Sequence, residues 1–153
     1  MPNIVQNSQR DAITGVAAEQ LSTAGAAHVA LNSTIPAGAT QRINSSGNVA
    51  NASAIATLTP VAGQTIFVTG FTITGGGATA ASLVSATLVG LLGGTLTFTI
   101  AVVAGATLGN TPLVVQFGQP LAGSAVDVAA VLTLPALGAG NTNASVTLVG
   151  YSK

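Results

Sequence analysis

An all-β fold, an antiparallel β-sandwich or jelly roll of about seven to eight strands with an N-terminal arm, is the fold class this sequence predicts. Three observations predict it. Apolar and small polar residues alternate with a period of two, turn residues recur at short intervals, and no helical run separates the strands after residue 45. The chain has 153 residues, enough for one core.

Residues 1–45 form a separate segment by composition, because they carry four of the six charged side chains and the single histidine, His28. Within it Ile13, Val16, Ala17, Leu21 and Ala24 fall at roughly helical spacing, while Thr14, Gly15, Ser22, Thr23 and Gly25 weaken a helix. The arm is therefore expected to be extended or to hold one short helix. The stretches 32–38 and 44–48, rich in Asn, Ser, Pro and Gly, read as linker or turn.

Residues 46–153 form the sandwich domain, with strands expected at about 49–59, 64–74, 82–91, 95–104, 112–117, 126–134 and 144–151. The clearest is Thr95-Leu96-Thr97-Phe98-Thr99-Ile100, whose period of two puts Leu96, Phe98, Ile100 and, two residues on, Val102 on one face. Gly93-Gly94 between apolar runs predicts a two-residue hairpin with positive φ at both glycines. In Val126–Leu134 the even positions are expected to face the core and Asp127 to point outward, until Pro135 ends the strand. The phrase Thr-Leu-Val-Gly occurs at 87–90 and again at 147–150, a pattern that chance or two similar sheet edges explain better than a repeat fold.

Charge decides much of what the chain does not do. Only 4% of residues are charged and the formal net charge is zero, against about 25% charged in ordinary soluble domains. No patch could neutralise a run of phosphates, so nucleic-acid binding is not expected. Polybasic membrane attachment is excluded on the same ground. The uncharged stretch 43–126 is interrupted every few residues by Thr, Ser, Gly, Asn or Gln, so no membrane span is expected there. Residues 1–10 lack the basic start and apolar core of a secretion signal, and synthesis in the cytoplasm is expected.

Catalytic chemistry finds little footing. Cysteine is absent, His28 is the lone base, and paired acid–base carboxylates would have to come from Asp11, Glu19 and Asp127. These residues offer no metal-ligand spacing, and neither a metal nor a cofactor is expected. The glycines at 75–77 lack the Lys-Ser/Thr ending of a phosphate loop and precede a strand. The Asn-x-Ser/Thr triplets at Asn32, Asn44, Asn51 and Asn143 read as products of composition. Phe67, Phe71, Phe98, Phe117 and Tyr151 fall on expected strands and are assigned mostly to the core. A non-enzymatic role follows as the expectation. Since charge normally keeps small domains soluble, a chain this neutral is expected to bury surface in a symmetric oligomer or lattice, with the arm reaching a neighbour.

Three segments carry a family resemblance. Phe71-Thr72-Ile73-Thr74-Gly75-Gly76-Gly77-Ala78-Thr79-Ala80-Ala81-Ser82, Pro112-Leu113-Val114-Val115-Gln116-Phe117-Gly118-Gln119-Pro120 and Leu134-Pro135-Ala136-Leu137-Gly138-Ala139-Gly140-Asn141-Thr142-Asn143-Ala144 resemble small β-sandwich proteins of tailed-bacteriophage virions, over about residues 60–153. The resemblance implies a capsid decoration or cement protein on the capsid surface. Its implied partners are the major capsid protein and further copies of itself, as a homotrimer. The same kind of module serves on tails and fibres, which gives the alternative of a structural or receptor-binding module with loops near 75–80 and 138–143 exposed. For the capsid or subunit contact the residues expected are Ile4, Val5, Ile13, Val16 and Leu21 of the arm.

Overall fold

A computed structural model describes residues 35–105 and 112–153. The chain divides into two units, Met1–Gly38 and Ala39–Lys153. Among the described residues there is no helix, and eight antiparallel strands lie in the second unit: β1 Thr40–Ser45, β2 Ala54–Leu58, β3 Ile66–Gly76, β4 Ser82–Leu91, β5 Gly94–Val102, β6 Leu113–Ala122, β7 Ala130–Leu134 and β8 Asn143–Ser152. They form two four-stranded sheets, ordered β1-β8-β3-β6 and β2-β7-β4-β5. Every connection except the β4–β5 hairpin passes from one sheet to the other, which is the winding of a jelly roll.

Period-two alternation explains why these segments become strands. The first sheet turns Val68, Phe71, Ile73, Val146 and Leu148 inward, and the second turns Ala54, Ala56, Leu58, Ala86, Leu88, Leu132 and Leu134 inward, all buried in one cluster. Alternate positions carry Thr and Ser outward, where a hydroxyl meets water without cost. Phe71 joins the layers. It meets Phe98 of β5 edge-on at 4.8 Å and Phe117 of β6 at 6.1 Å, arrangements that suit the ring quadrupole. Leu137 and Ala78, from the β7–β8 and β3–β4 loops, are buried in the same cluster.

Several expectations are revised. Thr40–Ser45, assigned by composition to the arm, is β1 and pairs with β8 from Thr40↔Ser152 to Ser45↔Thr147. The strand expected at 126–134 begins only at Ala130. Val126 and Val128 are exposed, and Asp127 has φ 62, a left-handed turn conformation no strand residue adopts. Ala130, Leu132 and Leu134 do face the core. The hairpin forms near Gly93-Gly94, but its turn residues are Leu92 and Gly93, and of the two glycines only Gly94 has a positive φ.

The Thr-Leu-Val-Gly phrase lies on two inner strands, β4 and β8, rather than on sheet edges. Leu88 and Leu148 are both core residues. Gly90 and Gly150 both face neighbouring backbone so closely that a Cβ would collide with a carbonyl oxygen, that of Ala129 just before β7 or that of Phe67 in β3. In both strands the pairing shifts register at or opposite this point, between Leu88 and Leu91 in one case and opposite Val68 and Gly70 in the other.

Candidate functional site: an open edge and a pinned loop end

The arm residues Ile4, Val5, Ile13, Val16 and Leu21 lie outside the described residues, as do Asp11, Glu19 and His28. Among the described residues no group of three or more His, Cys, Asp or Glu could hold a metal ion, and no helix is long and apolar enough to cross a membrane. Asp127 is occupied structurally. Its Oδ1 accepts the Gly63 amide at 2.7 Å, while its own amide donates to Gln64 O at 3.0 Å. This ties the β6–β7 turn to the β2–β3 turn.

The two long sides of the sandwich differ. On the β1/β2 side the sheets approach each other, and Asn44 Oδ1 of β1 accepts the Thr57 amide of β2 at 3.0 Å. On the β5/β6 side most inward residues of both edge strands are only half-buried, Leu96, Phe98 and Ile100 from β5 and Leu113, Val115 and Phe117 from β6, while Val102 at the end of β5 is buried. The alternation assigned these residues to a core, and the sheet order puts them at its rim. Phe71 forms the floor beneath them.

Among the described residues this seam is stitched at its hairpin end. Leu92 N donates to Ala122 O at 2.9 Å, and Ser124 N donates to Gly90 O at 2.9 Å. Beside these bonds lies an apolar groove of about 350 Å³ lined by Leu91–Gly94, Leu96 and Pro120–Ala122, with Leu92 at its rim 73% exposed. A second, shallower groove opens at the other end of β5, between Ala81–Leu83 and Ala101–Val103, where Leu83 and Val103 are 75% and 58% exposed. An edge strand flanked by two apolar depressions has the chemistry of a contact surface. Apolar area is released from water there, with no charge to desolvate.

No family model, curated protein or solved structure matches the chain.

The β1–β2, β3–β4 and β7–β8 loops meet at one end of the sandwich, and Asn141 holds them. Its side chain is fully buried. Nδ2 donates to Gly76 O at 2.7 Å and to Asn143 O at 2.8 Å, and the Asn51 amide donates to Asn141 Oδ1 at 3.3 Å. Thr79 adds two bonds to Ala139 O, from its amide at 2.9 Å and from its hydroxyl at 3.0 Å. Segments 75–80 and 138–143, far apart in sequence, are thus parts of one polar surface. Composition flagged both as turns, and only the tertiary bonds reveal that they are neighbours.

Proposed function

We propose that this chain is a non-enzymatic structural subunit of a tailed-phage virion, a capsid decoration (cement) protein that binds the outer capsid surface and stabilises the head by bridging major capsid protein subunits. The observation that carries the reading is the sandwich's nearly charge-free surface with an apolar edge that no other described strand covers. Such a surface keeps a free monomer poorly soluble and favours the assembled state. The resemblance of residues 60–153 to virion sandwiches supports the same reading and implies a homotrimer.

The mechanism is bridging. Each copy adds modest apolar and backbone contacts at several subunit edges, and rupture of the shell then requires many contacts to fail together. The arm, through Ile4, Val5, Ile13, Val16 and Leu21, reaches the capsid or a neighbouring copy. The protein is made in the host cytoplasm and ends on the capsid surface.

A different observation favours a second reading, as a tail or fibre module. The loop end pinned by Asn141 is a rigid polar surface suited to receptor recognition. Copy number in purified particles, measured by mass spectrometry against the major capsid protein, separates the two. A ratio near one to one supports decoration; a ratio more than tenfold lower moves the chain to tail or fibre, and absence from the particle overturns both. Deletion of residues 1–30 is expected to abolish capsid binding while the sandwich stays folded, and normal binding by the truncated chain removes the arm from the mechanism.

A further inference from the structure

We infer that β5 is a self-pairing edge, through which two copies of this chain join antiparallel about a two-fold axis at Phe98. Among the described residues four strands are sheet edges, and three of them are guarded. β1 carries Arg42; β2 is five residues long and its Thr57 amide is taken by Asn44; β6 carries Pro120 and pairs with β3 across a register shift. Charge, brevity, proline and bulges are the devices that keep edges from pairing. β5 has neither charge nor proline, and its one register shift, opposite Leu88 and Leu91 of β4, is confined to the hairpin end. It runs nine residues, Gly94–Val102, without charge, proline or bulge from Leu96 to Val102, and among the described residues it pairs only with β4.

The occupant follows from the strand's own pattern. In antiparallel pairing, opposite residues point to the same face, so a period-two strand matches itself when the axis passes through a residue. The midpoint of β5 is Phe98. Pairing about it uses the full strand and sets Phe98 opposite Phe98, Leu96 opposite Ile100, and Thr97 opposite Thr99 of the second copy. Apolar faces apolar, and hydroxyl faces hydroxyl. The same register brings the exposed Leu92 of each copy beside Val103 and the groove at Ala101–Val103 of the other. Knob and depression are thus supplied by the same surface, as a two-fold contact requires.

Area and charge agree. A strip as long as β5, about 30 Å, and about 20 Å across both sheets buries on the order of 600 Å² per copy, or about 1,200 Å² in all, where stable interfaces begin. Neither side carries a charge to be desolvated. The inference keeps the assembling role proposed above but departs from the homotrimer that the resemblance implies, because a strand that matches itself closes two-fold, and a trimer in solution would favour the resemblance instead.

The test is sedimentation of the full chain beside two charged variants, Thr97→Lys/Thr99→Lys and Thr97→Glu/Thr99→Glu. Both positions are exposed on the outer face, and pairing about Phe98 puts like charges directly opposite. The wild type is expected at twice the 14.7 kDa chain mass, each variant at the monomer mass with an unchanged circular dichroism spectrum, and their equimolar mixture at the dimer mass again. Leu92→Ser, at an exposed turn, is expected to weaken association by about tenfold or more without touching the fold. A wild-type monomer, a trimer, or a dimer that the lysine and glutamate pairs leave intact overturns the inference.

Discussion

Replacing Asn141 by alanine tests whether the loop end is one structural unit. Its side chain makes two short bonds, to Gly76 O at 2.7 Å and to Asn143 O at 2.8 Å, and accepts a longer one from the Asn51 amide at 3.3 Å. The long bond is partly redundant, because Asn51 N also donates to the Asn141 carbonyl at 3.2 Å. Gly76 O keeps a donor in the Thr142 amide at 3.3 Å. The loss is therefore dominated by two short bonds, one buried and one part-buried, at about 1–1.5 kcal/mol each, or about 2–3 kcal/mol in all. At about 2–4 °C per kcal/mol for a chain of this size, Tm should fall by about 4–12 °C. Urea unfolding should show a lower midpoint at unchanged slope. Amide exchange at Thr79 and Thr142 should accelerate more than at Leu132 in the core, because the clasp opens locally before the sandwich does. Asn48→Ala removes only exposed bonds, to Thr142 O at 3.4 Å and Asn143 Oδ1 at 3.1 Å, and should change stability by less than about 0.5 kcal/mol. An Asn141→Ala protein with unchanged Tm and unchanged exchange at Thr79 would refute the reasoning.

Other positions give equally direct tests by denaturant unfolding. Phe71→Ala should cost about 3–5 kcal/mol, since it empties the contact between the sheets and removes the floor of the β5/β6 seam; a cost below about 1 kcal/mol would mean the sheets repack without it. Gly90→Ala and Gly150→Ala should each cost about 3 kcal/mol or more, because a Cβ strikes backbone that cannot move without parting strands. Gly93→Ala, with open space around its Cβ position, should be nearly neutral, and equal effects at all three would refute the close-approach argument. Asp127→Asn keeps an acceptor for the Gly63 amide and tolerates the left-handed backbone, so it should be close to wild type, whereas Asp127→Ala should lose about 1–2 kcal/mol. Equal stability of the two variants would show that the clasp to Gly63 is idle.

What was legible in the sequence tracks what is local. Leu96, Phe98, Ile100 and Val102 share a face because alternation is a property of the strand itself, and the inner faces of β2, β3, β4, β7 and β8 follow the same logic. β1 was invisible because Thr40–Ser45 is polar at almost every position, its strand form coming from the ladder that β8 offers rather than from an apolar stripe. The run at 126–134 read as one strand because Val126 and Val128 continue the alternation, while the left-handed backbone at Asp127 is set by its bonds to the β2–β3 turn, more than sixty residues away. Position within a sheet is not written locally either. Phe98 and Leu132 sit in similar patterns, yet one lies at an open rim and the other in the interior, a difference that only the strand order makes. The arm residues Ile4, Val5, Ile13, Val16 and Leu21 fall outside the described residues.

The strand order also bears on how the chain is made. β8, the last strand in chain order, is inserted between β1 and β3, and β7 stands between β2 and β4. During synthesis from the N-terminal side, β1, β2, β3 and β4 therefore emerge long before the strands that separate and cover them. Until residues 130–134 and 143–152 leave the ribosome, both sheets have a missing inner member, and the early strands present unpaired edges with scarcely a charge to keep nascent chains apart. Folding is consequently held back to a late, nearly all-or-none event, dominated by pairings such as Thr40↔Ser152 that span most of the chain. Slow translation gives no head start here, and shielding of the nascent chain by chaperones should set the yield.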